Sequence, residues 1–224
     1  MLGWGSPLDD FREIDQTMRI IAGQRRGHKF DGPKDNSTRP TSDLVRESIF
    51  NILGEAVEGL LVIDLFAGTG GIGLEALSRG ASRAIFIERN RGNLDLIRRN
   101  IATLRYEDRA AVIGHDAYRW ARSYEPEPGE PVAVFIDPPY ADYDDHPERI
   151  RKLLEGLLGT LPDGSIIAAE SRIKLDDAVL PDLGAWDVRR YGGTQVAIRT
   201  VGDPERFMED EEVAGDEEPV DGID

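Results

Sequence analysis

The sequence contains no cysteine in its 224 residues. This absence excludes a disulfide framework, a thiolate nucleophile and any zinc or iron–sulfur site built from cysteine. The three histidines, His28, His115 and His146, are scattered, so no histidine-built metal site is expected. No apolar run approaches the ~18 residues of a membrane-spanning helix, and the first residues lack the basic start and apolar stretch of a secretory signal. We therefore expect a cytoplasmic protein, monomeric by default, with no metal and no membrane partner.

The net charge of −16 is distributed unevenly along the chain. Residues 203–224 carry −10 and residues 1–17 carry −3, whereas residues 19–46 carry +4. The two acidic ends have too little apolar content to offset the entropy of ordering, so both are predicted to be disordered extensions. Between them we expect an N-terminal arm and helix at 18–58 and the main domain at 59–202. A local basic stretch keeps RNA possible as a partner despite the overall acidity.

From residue 60 onward, short apolar runs alternate with amphipathic helical segments. The predicted strands are 60–66, 83–88, 110–114, 132–137 and 164–171, the predicted helices are 71–79, 90–104, 147–161 and a short one ending at Trp120, and 186–201 is predicted as a closing hairpin. Strands that alternate with helices indicate βαβ units and a mostly parallel sheet, an α/β fold.

Polar residues lie at or near the ends of four of the predicted strands, at Asp64, Glu88, His115-Asp116 and Asp137. In a parallel sheet the carboxyl ends of the strands meet at one edge, and ligands bind beyond that edge. The recurrence of carboxylates at these positions therefore predicts one site along one edge of the sheet.

A glycine-rich segment follows the first of these strands and satisfies the pattern G-x-G-x-x-G at Gly68, Gly70 and Gly73. Glycines let the backbone approach a ligand closely, and Glu88, twenty residues after Gly68, is placed to hold ribose hydroxyls. On these features alone a nicotinamide-dependent dehydrogenase fits as well as any other function. A glycine-rich turn that binds no ligand is the simpler alternative.

The segment D-P-P-Y, from Asp137 to Tyr140, directly follows the fourth strand. Two prolines fix the backbone and remove two N–H donors. The Asp137 carboxylate and the Pro138 carbonyl remain as acceptors beside the ring of Tyr140, a combination suited to a planar substrate with an exocyclic amine. The alternative is a rigid loop at the exit of a strand.

The motifs D-x-F-x-G-x-G and D-P-P-Y together resemble those of S-adenosylmethionine-dependent amino-methyltransferases. A wider set of segments over 18–202 is similar in order and spacing to the bacterial small-subunit ribosomal RNA guanine-N2 methyltransferases, which modify one guanine of 16S rRNA. These segments are MRIIAGQRRGHKF (18–30), RPTSDLVRESIFNIL (39–53), VIDLFAGTGGIGLEALSRGA (62–81), IE (87–88), IDPPY (136–140) and YGGTQVAI (191–198).

The resemblance implies a Rossmann-like class I methyltransferase fold, with a mostly parallel seven-stranded sheet, helices on both faces and a closing antiparallel hairpin. It implies S-adenosyl-L-methionine as cofactor and 16S rRNA, within a partly assembled small ribosomal subunit, as partner. The cofactor residues that it implies are Phe66, Gly68 and Gly70 at the methionine part, Glu88 at the ribose, Asp116 and Ala117 at the adenine, and Arg39 and Thr41 covering the cofactor from the N-terminal side. Asp64 is expected to orient the glycine loop, and Asp137, Pro138 and Tyr140 are expected to handle the target base.

Basic residues of the N-terminal segment are the predicted RNA contacts, because lysine and arginine neutralise backbone phosphates. They are Arg19, Arg25, Arg26, Lys29 and Lys34, on a hairpin expected beside the D-P-P-Y loop. A polar hairpin with solvated charges is the alternative. In the helix that follows, Arg46 and Glu47 are interpreted as a surface pair.

Two other functions remain compatible with parts of the sequence. A related methyltransferase acting on adenine N6 in DNA or RNA, or on a glutamine amide, would also use D-P-P-Y. A dinucleotide-dependent oxidoreductase would use the glycine loop but has no role for D-P-P-Y. Binding of S-adenosylmethionine or of NAD(H) would separate the two classes.

Overall fold

The computed structural model describes residues 17–33 and 43–202. Its strands are β1 (Thr17–Arg19), β2 (Lys29–Asp31), β3 (Leu61–Asp64), β4 (Arg83–Glu88), β5 (Ala110–Gly114), β6 (Val132–Ile136), β7 (Ile166–Ser171), β8 (Asp187–Tyr191) and β9 (Thr194–Thr200). Its α-helices are α1 (Asp43–Leu53), α2 (Gly71–Ser78), α3 (Arg91–Leu104), α4 (Ala117–Arg122), α5 (Tyr140–Asp145) and α6 (Pro147–Thr160). Single 3₁₀ turns lie at Gly23–Arg25, Glu107–Arg109 and Leu183–Ala185.

Seven strands form one sheet in the order β5-β4-β3-β6-β7-β9-β8. The strands β3 to β7 pair in parallel, whereas β9 runs antiparallel to both β7 and β8. The predicted mostly parallel seven-stranded sheet with a closing antiparallel hairpin is therefore confirmed. The hairpin is inserted so that its second strand, β9, lies between β7 and β8.

Helices cover both faces of this sheet, as alternate residues of the central strand show. On β3, Val62 faces a core that includes residues of α1, α2 and α3, whereas Ile63 faces a core that includes residues of α4, α5 and α6. Strands buried on both faces are expected to be apolar throughout, and this explains the continuous apolar runs of the sequence.

The N-terminal segment forms a small antiparallel hairpin, in which Met18 lies opposite Phe30. Met18, Ile20 and Phe30 are buried in the same core as α1, α2 and α3. The predicted N-terminal arm therefore shares its hydrophobic core with the sheet.

One helix was not predicted from the sequence. The helix α5 begins at Tyr140, directly after the prolines, and five of its six residues are polar or aromatic. So short and polar a segment lacks the apolar periodicity by which helices are recognised. Tyr140, the last residue of the D-P-P-Y motif, is therefore the first residue of this helix.

Across the two described ranges, no group of three or more His, Cys, Asp or Glu side chains is placed to hold a metal ion. No helix within them is long and apolar enough to cross a bilayer.

Candidate active site

A cavity of about 730 Å³ lies at the carboxyl ends of the parallel strands. Residues that follow β3, β4, β5, β6 and β7 line it, as the crossover connections of a parallel sheet require. They include Asp64, Phe66, Gly68, Gly71, Glu88, Arg89, Asn90, His115, Asp116, Ala117, Tyr118, Asp137, Pro138, Tyr140, Asp142 and Arg172. We name the side formed after β3, β4 and β5 the glycine-loop end, and the side formed after β6 and β7 the D-P-P-Y end.

The glycine loop, residues 64–73, is shaped by two of its glycines. Gly70 has a φ of 84° and precedes the first residue of α2, a conformation that favours glycine. A Cβ on Gly73 would lie 2.3 Å from the ring of Phe86, so only glycine lets α2 pack this closely on β4.

Asp64 holds this loop from below the cavity. Its Oδ2 accepts a hydrogen bond from the backbone N–H of Gly73 at 3.0 Å, and only 4% of the residue is exposed. Burial raises the pKa of the Asp64 carboxyl to about 7, and the nearby charges of Asp137 and Glu88 add to the increase. The carboxyl groups of Asp64, Glu88 and Asp137 therefore lie close enough together to influence one another.

Glu88 ties the glycine loop to the end of β4. Its Oε2 accepts a hydrogen bond from the N–H of Gly68 at 2.9 Å. Its Oε1 accepts from the N–H groups of Arg89 and Asn90 at 2.8 and 2.7 Å. The half-buried carboxylate still lines the cavity, so free lone pairs can meet a ligand there.

The third wall of the glycine-loop end is the start of α4. Asp116 caps this helix by accepting a hydrogen bond from the N–H of Arg119 at 3.0 Å. Behind it, the ring of Tyr118 packs edge to face against Phe66, with 5.3 Å between the ring centroids. Ala117 and these two rings provide an apolar surface that suits the flat face of a purine.

At the D-P-P-Y end, Asp137 and Tyr140 are half-buried and Pro138 is buried. The Tyr118 hydroxyl donates a hydrogen bond to Oδ2 of Asp142 at 2.7 Å. Burial, reinforced by Asp142, raises the pKa of the Tyr118 hydroxyl, so it remains a donor at neutral pH. This contact joins the two ends of the cavity.

Arg172 completes the D-P-P-Y end. It follows the last residue of β7, lines the cavity, and places its guanidinium carbon 4.6 Å from the centroid of the Tyr140 ring. The geometry is that of a cation–π contact.

The predicted basic arm is divided between two places. Met18, beside Arg19, lines the cavity and accepts a hydrogen bond from the Thr69 hydroxyl. Arg25 lies at the opposite end of α2, where its backbone N–H donates to Ser78 Oγ at 3.0 Å. The turn that carries Arg25 and Arg26 therefore lies away from the D-P-P-Y loop, because the hairpin runs along the length of α2.

A buried carboxylate holds the hairpin in this position. Glu75 is fully buried on α2, and its two oxygens accept hydrogen bonds from the N–H groups of Ile21 and Ala22 at 2.8 and 3.0 Å. Arg46, also fully buried, lies 3.8 Å from Glu75 and donates to Asp43 at 2.9 Å. The interpretation of Arg46 as a surface residue is wrong, because it occupies the face of α1 that is packed against α2.

Comparison with known proteins identifies the family. Residues 18–200 match the family described as Conserved hypothetical protein 95. This chain belongs to that family. Ribosomal RNA small subunit methyltransferase D of Escherichia coli K12 is 37% identical over 188 residues, covering 81% of this chain and 88% of the relative. YlbH of Bacillus subtilis 168, a candidate rRNA methyltransferase, is 36% identical over 182 residues, covering 81% and 97%.

Solved structures show the same fold. The E. coli protein yhhF, a candidate methyltransferase, superposes with a TM-score of 0.66 at 33% identity, covering 83% of this chain and 98% of that one. An RNA methyltransferase from Salinibacter ruber, solved with S-adenosyl-L-homocysteine, superposes with a TM-score of 0.56 at 19% identity, covering 75% and 97%. Membership of the conserved hypothetical protein 95 family confirms the resemblance indicated by the motifs, and these structures confirm the methyltransferase fold.

In this family member, the structure brings most of the predicted site residues into one cavity. Those that line it are Asp64, Phe66, Gly68, Glu88, Asp116, Ala117, Asp137, Pro138 and Tyr140. Lys34, Arg39 and Thr41 lie outside the described residues. The sequence analysis missed Tyr118, Asp142 and Arg172. Arg172 alone had a usable signal, since it directly follows the end of a predicted strand.

Proposed function

We propose that this protein transfers the methyl group of S-adenosylmethionine to the exocyclic N2 amine of a guanine in 16S rRNA of the small ribosomal subunit. One observation carries the proposal: the glycine loop with Glu88 and the D-P-P-Y segment line the same cavity. The identity of 36–37% to proteins named as rRNA methyltransferases supports the substrate class.

The chemistry of the glycine-loop end fits the cofactor. Glu88 offers carboxylate oxygens for ribose hydroxyls, and Ala117 and the ring of Tyr118 offer an apolar surface for adenine. Phe66, whose ring packs against Tyr118, is left for the methionine part. When bound, S-adenosylmethionine supplies an activated methyl group on a positively charged sulfonium. The carboxylates of Glu88 and Asp137 lie close enough to Asp64 to add to the increase in its pKa, and their negative charge is complementary to the positive sulfonium.

The D-P-P-Y end fits an amine-bearing base. The lone pair of guanine N2 is delocalised into the ring, so the amine is a weak nucleophile. The Asp137 carboxylate and the Pro138 carbonyl accept hydrogen bonds from the amine, draw it towards tetrahedral geometry and localise its lone pair, while Tyr140 stacks on the ring. Catalysis is then mainly positioning.

Asp137 need not act as a full general base. The amine becomes acidic once it carries the new methyl group, so its proton leaves late, to water. The base must be unpaired or turned out of its helix to enter the cavity.

The two alternative functions are less well supported. An oxidoreductase gives no role to the D-P-P-Y residues, which form one end of the cavity. An adenine-N6 methyltransferase would use the same acceptors. The similarity to proteins named ribosomal RNA small subunit methyltransferase D favours rRNA as the substrate. The substrate that we propose is a partly assembled small ribosomal subunit in the cytoplasm. We propose that the enzyme acts on it as a monomer.

Mass spectrometry of 16S rRNA nucleosides from cells with and without this gene tests the proposal. N2-methylguanosine at one position should disappear on deletion and return when the wild-type gene is restored. Restoration with Asp137→Ala should fail, because loss of one preorganised polar contact lowers turnover by about 10²-fold or more. The exposed Asp144→Ala is the matched control and should restore methylation. Unchanged N2-methylguanosine on deletion would refute the proposed substrate.

A further inference from the structure

Acceptors alone do not distinguish guanine from adenine. Both bases carry an exocyclic amine that could donate to Asp137 and the Pro138 carbonyl. The two bases differ elsewhere: guanine presents O6 and N7 as two adjacent acceptors, whereas adenine presents an N6 donor beside N7. A pair of hydrogen-bond donors that meets O6 and N7 at the D-P-P-Y end would therefore select guanine over adenine.

Arg172 is placed to supply that donor pair. Among the cavity-lining residues of ranges 17–33 and 43–202, the arginines and lysines are Arg89 and Arg172. Arg89 follows β4 at the glycine-loop end, on the far side of β3 from β6. Arg172 follows β7 beside β6, with its guanidinium 4.6 Å from the Tyr140 ring centroid. Of these two residues, Arg172 is the one whose N–H donors lie at the D-P-P-Y end.

The backbone around Arg172 is held by contacts from three directions. The Tyr143 hydroxyl on α5 donates to the carbonyl of Glu170 at 2.6 Å. The N–H of Ile173 donates to Ser171 Oγ at 3.1 Å, and the N–H of Leu175 donates to Gln195 on β9 at 2.6 Å. Because Tyr143 lies on the helix that begins at Tyr140, these contacts fix the backbone on both sides of Arg172 relative to the helix that carries the ring.

We propose that Arg172 is a specificity-determining residue: its guanidinium, which covers one face of the Tyr140 ring in this structure, moves aside when guanine stacks on that ring and donates hydrogen bonds to O6 and N7 of the base. The inference rests on the proposed function, because it assumes a purine at the D-P-P-Y end. Arginine suits this task since its fork of N–H donors matches two adjacent acceptors. Adenine held in the same orientation would place its N6 amine against the guanidinium, donor against donor, and would have no amine at C2 to meet Asp137.

Competition between short RNAs tests the proposal. Small subunits from cells lacking the gene serve as methyl acceptors, and three single-stranded RNAs compete, identical except for one central guanosine, 2-aminopurine or adenosine. 2-Aminopurine keeps the N2 amine but lacks O6. The wild-type protein should prefer the guanosine RNA over the 2-aminopurine RNA by about tenfold to a hundredfold, the range expected for a bidentate contact.

Three variants define the role of Arg172. Arg172→Ala should bring the ratio of guanosine to 2-aminopurine affinity close to one, and Arg172→Lys should leave an intermediate ratio because lysine is a point charge. Lys174→Ala, an exposed basic residue on the same segment, should keep the wild-type ratio. S-Adenosylmethionine affinity should be unchanged in all three.

Two results would overturn the inference. The first is an unchanged preference for guanosine in Arg172→Ala. The second is an equal loss of affinity for all three RNAs with a flatter dependence on salt, which would make Arg172 a phosphate contact. Direct binding of the three RNAs to protein saturated with S-adenosylhomocysteine repeats the comparison without catalysis. A protein that discriminates the bases but methylates no small subunit would refute the proposed function and not the role of Arg172.

Discussion

The two ends of the cavity are built by different kinds of contact. At the glycine-loop end, Asp64, Glu88 and Asp116 each accept hydrogen bonds from backbone N–H groups of the loops and helices that follow the strands. At the D-P-P-Y end, the contacts join side chains of separate elements, as between Tyr118 and Asp142 or between Arg172 and Tyr140. The first end is organised by local chain geometry, and the second by packing between elements.

The difference matches what each end has to do. All methyltransferases that depend on S-adenosylmethionine bind the same cofactor, so the site for it can be shaped by the local hydrogen bonds that hold the loops. The target base differs between enzymes, and a site built from side chains on separate elements can change one residue at a time. Substrate selection should therefore depend on the D-P-P-Y end.

The largest expected effect concerns Asp64 and the stability of the free protein. Its folded-state pKa of about 7 lies above the usual value of 3.8. Between these two pH values the folded protein keeps a proton on Asp64 that the unfolded chain releases. The contribution of protonated Asp64 to the free energy of unfolding is therefore complete below about pH 4 and is lost as the pH rises through 7. The difference of roughly three pKa units corresponds to about 4 kcal/mol at most.

Asp64→Asn removes this titration and keeps an acceptor for the N–H of Gly73. Relative to the wild type, the variant should therefore gain stability steadily between pH 4 and pH 8, as measured by urea unfolding of both proteins at matched pH. The exposed Asp95→Asn serves as control. A stability difference independent of pH would show that Asp64 is ionised throughout.

The next largest effect concerns Glu88 and cofactor binding. Glu88→Ala should weaken S-adenosylmethionine binding about tenfold to a hundredfold, because hydrogen bonds to a charged acceptor contribute roughly 1.5–3 kcal/mol. Calorimetry measures the affinity, and the exposed Glu107→Ala should leave it unchanged. If Glu88→Ala binds as tightly as the wild type, Glu88 does not belong to the cofactor site.

A smaller effect is expected where the two ends meet. Tyr118→Phe removes the hydrogen bond to Asp142 and should lower the free energy of unfolding by about 1 kcal/mol. Combining it with Asp142→Ala, which removes the acceptor, in a double-mutant cycle should give a coupling energy of similar size. Tyr124→Phe, which removes a hydroxyl from the ring stacked on Trp120, is the matched control. Strict additivity would mean that the bond does not join the two ends.

The smallest effect is expected for the basic residues of the N-terminal hairpin, and it concerns the salt dependence of RNA binding. Replacing Arg25 and Arg26 together with Ala should flatten the slope of log RNA affinity against log salt by somewhat under two units, since each phosphate contact contributes about 0.7–0.9. Cofactor affinity should stay the same, because this turn lies at the far end of α2. Lys152→Ala on α6 provides a control on the other face of the sheet. An unchanged slope would mean that these charges are merely solvated.

Much of the fold was predictable because its signals are local. The strands at 83–88 and 110–114 were placed with their observed bounds, since each is an apolar run between clear breaks. Arg46 was misplaced because a charged residue is expected at the surface, and nothing nearby in the sequence indicates that Glu75 will be buried beside it. The helix α5 was missed because it is short and lacks an apolar stripe.

The sequence by itself determined the glycine loop and the D-P-P-Y segment, because each is a short run of neighbouring residues. It also determined the parallel sheet, because strand and helix patterns alternate from residue 60 onward. Only the tertiary structure decided that Glu75 holds the backbone of Ile21 and Ala22, more than fifty residues away, and that Arg172 lies on Tyr140. Such pairs arise when crossover connections bring distant strand ends to one edge of the sheet. The distance between two side chains there depends on strand order and register, which no local pattern of residues records.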